Sequence, residues 1–142
     1  MDQNVTIAPS EWELMRLVWT KKTITSREII NLMQQKRDWS DSTIKTLLNR
    51  LVKKGLLSTE KTGNRFVYRA TVEEVAAMDH ETQMLFDQLC SMKVGTTVAH
   101  LLKHLTLTQK DIADLQAILD QKATTAPETV ACNCLPMQCH CD

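Results

Sequence analysis

The run Ser40-Asp41-Ser42-Thr43-Ile44-Lys45-Thr46-Leu47-Leu48-Asn49-Arg50-Leu51-Val52-Lys53-Lys54-Gly55 reads as one amphipathic helix with both ends marked. Ser40 is placed to cap its start, and Gly55 to stop it in a left-handed conformation that costs glycine nothing. Ile44, Leu47, Leu48, Leu51 and Val52 recur at helical spacing and predict a buried stripe. Ser42, Thr46, Asn49, Arg50 and Lys53 fall opposite, with Thr43 and Lys45 on the flanks. No acid follows Asp41 in this run. A solvated helix face ordinarily mixes Glu among its Lys residues. Short hydroxyl and amide side chains among Lys and Arg suit the major groove, where guanine takes bidentate donors and thymine offers a methyl group.

Moving outward, Pro9-Ser10-Glu11-Trp12-Glu13 holds a Ser10–Glu13 capping box and opens a first helix, with Trp12, Met15, Val18 and Trp19 on its apolar face. Thr25 and Glu28 form a second box before Ile29, Ile30 and Met33. Between these helices Thr23-Ile24-Thr25 has room only for a turn or a very short strand. Downstream, Leu56–Lys61 and Arg65–Ala70 read as strands around a Thr62-Gly63-Asn64 turn, with Lys61 and Arg65 at the tip. Helix, short strand, helix, helix, hairpin is the order of a winged helix-turn-helix. The helix after Ser40 would read double-stranded DNA, and the hairpin would touch adjacent phosphates.

The remainder reads as helices. Thr71–Glu74 is a third capping box, and the helix it opens is expected to reach about Ser91 with Cys90 in its packed interior. Gly95 should break the chain there, Thr96 or Thr97 should cap the next helix, and Thr108 the last. Their apolar stripes, including Leu101, Leu102, Leu105, Ile112, Ile118 and Leu119, exceed what a winged domain can cover, so a two-fold homodimer is expected. His100 and His104 stand four apart, but no third ligand is near them in sequence, and they are assigned with His80 to the surface or interface. The expected division is a winged-helix DNA-binding domain over 1–71, a helical dimerisation region over 72–122, and a linker with a metal-binding tail over 123–142. The fold class is mainly α with a small β-hairpin wing.

Charge divides the same way. Residues 1–70 hold 13 Lys/Arg against 7 Asp/Glu, and residues 71–142 hold 4 against 10, so a net +6 is cancelled by −6. A basic half points to a polyanionic partner. No apolar run approaches the ~18 residues of a membrane span. No apolar signal stretch lies near Met1, so a cytoplasmic location with reduced thiols is expected.

Four of the five cysteines form C-x-C-x4-C-x-C: Cys132, Cys134, Cys139 and Cys141. Converging thiolates suit Cu(I) or Zn(II), and Pro136 restricts the loop between the pairs. Arms this short let sulfurs bridge neighbouring metals, which favours a small Cu(I)–thiolate cluster, while tetrahedral Zn–S4 stays feasible. Paired disulfides or idle thiols are the other readings. His140 is expected to point away from the site, and the Met137 thioether competes poorly with thiolates.

Trp39 to Leu56, together with Glu11-Trp12-Glu13-Leu14-Met15 and Val18-Trp19, resembles the penicillinase-repressor (BlaI/MecI) family. The cysteine ending resembles its CopY-type, copper-responsive branch. The resemblance implies a homodimer on a palindromic operator of TACA and TGTA half-sites. Its contacts would come from Ser42, Thr43, Lys45, Thr46 and Arg50, with Ser40 and the wing near Arg65 on the backbone. Ser42 and Asn49 stand where relatives carry other residues. It also implies Zn(II) in the DNA-competent form and Cu(I) as the inducer that displaces zinc from the four tail thiols, releasing copper-export genes. A copper chaperone is a candidate donor. The antibiotic-responsive branch is inactivated by proteolysis and lacks this tail, so that mechanism is not transferred.

Three rivals follow. One is a repressor responding to Cd(II), Zn(II) or Ag(I). Another is a copper buffer or chaperone that binds metal without reading DNA. The third, a thiol oxidoreductase, needs C-x-x-C beside a strand–helix unit, which is missing. Paired carboxylates, a nucleophile–base set and a phosphate loop are also missing, so an enzyme is not expected.

Overall fold

The computed structural model describes residues 5–135. Along them run α1 (Pro9–Lys21), β1 (Ile24–Thr25), α2 (Ser26–Lys36), α3 (Asp41–Lys53), β2 (Leu57–Thr62), β3 (Arg65–Ala70), α4 (Glu74–Asp87), a 3-10 turn (Ser91–Lys93), α5 (Val94–His104) and α6 (Gln109–Ala123). The architecture is the expected winged helix-turn-helix followed by further helices. Two compact units result, the first ending at Gln83 and the second starting at Met84.

In the first unit β3 is the central strand of an antiparallel sheet ordered β1-β3-β2. Ile24 pairs with Tyr68, and the hairpin runs in register from Leu57–Ala70 to Thr62–Arg65. The turn is thus two residues, Gly63-Asn64, and Gly63 takes the positive φ of 64° that a tight hairpin requires. The core gathers Leu14, Met15 and Val18 from α1, Ile29 and Met33 from α2, and Ile44, Leu47, Leu48 and Leu51 from α3. Each such side chain stabilises the fold by about 1.5–3 kcal/mol on burial. Trp12 and Trp19 are only partly buried, and Trp19 Nε1 donates to the Val72 carbonyl at 2.9 Å.

The ends of α3 follow the sequence. Ser40 Oγ accepts the Thr43 N–H at 3.2 Å. At the other end Gly55 N–H reaches Val52 O and Leu56 N–H reaches Leu51 O, both at 3.0 Å, with Gly55 at φ 77°. This crossed pair is a Schellman motif, and it satisfies carbonyls the helix leaves open.

Two capping expectations are corrected. Ser10 does not cap α1. Pro9 is its first residue, where a missing N–H costs nothing, and Glu11 Oε1 accepts the Ala8 N–H at 2.9 Å. Thr71 does not cap α4 either. Its hydroxyl donates to the Gly55 carbonyl, and the helix begins at Glu74.

The second unit departs further. The helix expected to reach Ser91 ends at Asp87. Gly95 does not break the chain, since it lies inside α5, and Thr97 Oγ1 donates back to Lys93 O at 3.1 Å instead of capping. The break falls five or more residues earlier, at 88–90, so Cys90 sits outside any helix. Thr108 does cap α6: its Oγ1 accepts from Asp111 N–H, and its own N–H donates to the Asp111 carboxylate, both at 3.0 Å. The Thr108 backbone N–H first, and then the Thr108 hydroxyl, hold the Asp111 carboxyl below its usual range. Val98, Leu101, Leu102, Leu105, Ile112, Ile118 and Leu119 are all exposed. Among the described residues no helix is long and apolar enough to cross a membrane.

Candidate nucleic-acid interface and sulfur cluster

The α3 face opposite the core carries Ser42, Thr43, Lys45, Thr46, Asn49 and Arg50, and Ser40 precedes it; all seven are exposed. The hydroxyls at its N-terminal end are occupied locally. Ser40 Oγ lies 3.0 Å from both Ser42 Oγ and Thr43 Oγ1, and Thr46 Oγ1 donates to Ser42 O at 2.8 Å. A hydroxyl rotates to suit a new partner, so these bonds set a resting state. Lys45 and Arg50 have no ion-pair partner among the described residues, which leaves their charge available to an incoming polyanion. Ser42, Thr43, Thr46 and Arg50 line one shallow depression.

Lys61 and Arg65 are exposed at the wing tip, and the Lys61 ammonium lies 5.8 Å from the centre of the Phe66 ring. The turn before α3 is braced by Gln34, whose Nε2 donates to Asp41 Oδ1 at 2.7 Å and to Trp39 O at 3.2 Å. Farther out, Arg37 makes a bidentate pair with Glu13 and holds that carboxyl below its usual range.

The second unit brings sulfurs together. Sγ atoms of Cys90, Cys132 and Cys134 all lie within 4.8 Å of one another, and Cys90 and Cys132 are 3.9 Å apart. A disulfide would need about 2.05 Å. Two thiolates on one tetrahedral Zn(II), each about 2.3 Å from the ion, stand roughly 3.8 Å apart. The donor set and spacing therefore fit a zinc-sized soft cation. Cys139 and Cys141 lie outside the described residues.

The arm carrying Cys132 and Cys134 is pinned by the residue between them. Asn133 Oδ1 accepts the Ser91 N–H at 2.9 Å, and its Nδ2 donates to Leu89 O at 3.4 Å. One side chain thus brackets Cys90 from both sides. The Cys90 thiol is pulled below its ordinary value, first by the Met92 backbone and then by Cys134 and Cys132. Cys134 is pushed up to about 12, because its proton is shared toward Cys132 and Cys90 and a further negative sulfur is resisted there.

Sequence reasoning put Cys90 in a helix core. It is instead half-buried beside two tail thiols 42 and 44 residues downstream. Asn133 was also missed; an amide between two cysteines carries no signal until the arm is seen against residues 89–91. His100 and His104 do meet, Nε2 to Nε2 at 3.4 Å, but both are exposed and no third ligand joins them among the described residues.

Residues 7–121 match the penicillinase repressor family. The chain is 58% identical over 136 residues to an uncharacterised 16.5 kDa protein in the ptsI 3′ region of Latilactobacillus sakei, covering 96% of this chain and 93% of that one. It is 33% identical over 116 residues to the methicillin resistance regulatory protein MecI of Mammaliicoccus sciuri, covering 82% and 94%. The solved structure of the CopR repressor is 46% identical to it, covering 49% of this chain and 99% of that one, with a TM-score of 0.42. The match embraces α1 through most of α6, including the capped cationic helix and its wing, and on that ground this chain is a member of the penicillinase-repressor family of DNA-binding transcriptional repressors rather than an enzyme.

Proposed function

We propose that this repressor senses a soft metal through its sulfur cluster and, as a homodimer, blocks a palindromic operator with TACA and TGTA half-sites. The observation that carries the reading is the meeting of Cys90, Cys132 and Cys134 in a chain of a repressor family. In the DNA-competent form the tail thiols Cys132, Cys134, Cys139 and Cys141 hold Zn(II). They exchange it for Cu(I), and the operator of copper-export genes is then freed. Sulfur donors also accept Cd(II) and Ag(I), so the inducer is chosen by geometry as much as by affinity.

Ser42, Thr43, Lys45, Thr46, Asn49 and Arg50 would face bases and phosphates, with Ser40, Lys61 and Arg65 on the backbone. The exposed leucines and isoleucines of α5 and α6 would face a second copy. The groove they line, roughly 470 Å³ and bordered by Leu102, Leu105, Ile112, Leu115 and Leu119, is apolar enough to seat one. One Zn(II) or two Cu(I) on four thiolates leave the same formal charge, so charge alone does not switch the protein. The difference lies in coordination geometry, tetrahedral against digonal or trigonal.

Fluorescence anisotropy with the zinc-loaded protein tests this reading. Binding is expected to a TACA/TGTA palindrome and to be at least about tenfold weaker, ~1.4 kcal/mol, on a scrambled duplex. Metal binding with no preference between the duplexes would leave a metal buffer in its place.

A further inference from the structure

We infer that Cys90 is itself a metal ligand, which seats the sulfur centre on the joint between α4 and α5 instead of leaving it on a free tail. This rests on the tail being a metal site and gives Cys90 one of the four tetrahedral positions beside Cys132 and Cys134, so that the second arm supplies one ligand to that ion and not two.

Three observations converge. Cys90 Sγ stands 3.9 Å from Cys132 Sγ, the separation of two sulfurs on one tetrahedral ion and far beyond a covalent bond. Cys134 Sγ completes a triangle with no edge above 4.8 Å. Asn133 docks the arm by bonding to both neighbours of Cys90, so the approach is held by the backbone at Leu89 and Ser91 and not only by the sulfurs.

The location gives the site a consequence. Residues 88–90 interrupt the helical run between Asp87 and Ser91. A ligand anchored there ties the backbone of that interruption to the arm at 132–134. Loading the site therefore stiffens the segment that leads from α4 into α5, and a metal with another preferred geometry pulls the same segment differently. The first arm also closes onto Cys90 of its own chain, which needs no second copy.

The test uses the full reduced chain. Cysteines are alkylated with N-ethylmaleimide with and without one equivalent of Zn(II), and the rate at each is read by peptide mass mapping. Zinc is expected to slow Cys90 about tenfold or more, together with Cys132 and Cys134. A Cys132→Ser/Cys134→Ser variant should lose the protection of Cys90. In the Co(II)-substituted protein, Cys90→Ser should lower the thiolate-to-cobalt charge-transfer band by about a quarter to a third, the share of one sulfur in three or four. If zinc protects Cys132 and Cys134 while Cys90 reacts at its apo rate and the cobalt band of Cys90→Ser is unchanged, the inference is overturned and the tail site stands. If zinc protects no cysteine, the metal reading of the tail fails and this inference falls with it.

Discussion

Lys54 Nζ lies 2.6 Å from Glu11 Oε1 and ties the end of α3 to the start of α1. Glu11 is 1% exposed and the Lys54 side chain 31%. Lys54 also donates to Thr6 O at 2.8 Å, so one ammonium fastens the N-terminal arm as well. Removing one partner of a buried pair leaves an uncompensated charge, which costs about 3–5 kcal/mol in a closed interior. The open side of Lys54 lowers this to roughly 2–3 kcal/mol. Lys54→Met is expected to destabilise by that amount in urea unfolding, and Glu11→Leu/Lys54→Met to recover part of it. A loss below about 0.5 kcal/mol for Lys54→Met would show that the pair contributes nothing beyond an ordinary surface bridge.

The same contact shows where sequence reading succeeds and where it stops. Local signals place α3 well, because its cap, apolar stripe and stopping glycine all lie within sixteen residues and agree with one another. Ser10 to Glu13 also matched a local pattern, yet Glu11 took the capping role, because Lys54, 43 residues away, turns Glu11 inward. Glu13 is claimed by Arg37 instead. Cys90 fails for the same reason: its partners are distant in the chain, while Val75, Met78 and Leu85 nearby imitate a continuing buried stripe. In the structure those three are exposed. Gly95 has no stop signal beside it, and α5 carries it as its second residue, in the first turn, outside the helix interior where a glycine is most costly.

The Glu13–Arg37 pair gives a pH dependence of known sign. The Glu13 carboxyl is held below its usual range, chiefly by the hydrogen bonds from Arg37. Its stabilisation is therefore complete above the unfolded carboxylate value, near 4.3, and lost as pH falls through the folded one. Arg37 keeps its charge throughout. Its side chain is 55% exposed, so solvent screens the pair and the effect is small. Wild type should melt above Glu13→Gln at pH 7, with the gap narrowing as the pH falls below the ordinary carboxylate range. A gap that widens on acidification would contradict this assignment.

Arg50 and Lys61 separate two kinds of DNA contact. If Arg50 on α3 reads a base, Arg50→Ala should cost about 1–3 kcal/mol on the palindrome and blur its preference over altered half-sites. Lys61→Ala at the wing tip should weaken all sequences alike and reduce the salt dependence by about one counterion. Anisotropy titrations at several salt concentrations distinguish the two. Unchanged operator affinity in Arg50→Ala would remove it from the interface.

The claim that metal identity at the sulfur cluster decides DNA occupancy is tested most directly by one set of titrations. Operator binding is measured with apo, zinc-loaded and Cu(I)-loaded protein in a single buffer. The zinc form should bind the TACA/TGTA palindrome tightly, and the Cu(I) form at least about tenfold more weakly, ~1.4 kcal/mol. Equal affinities for the zinc and Cu(I) forms would contradict the account.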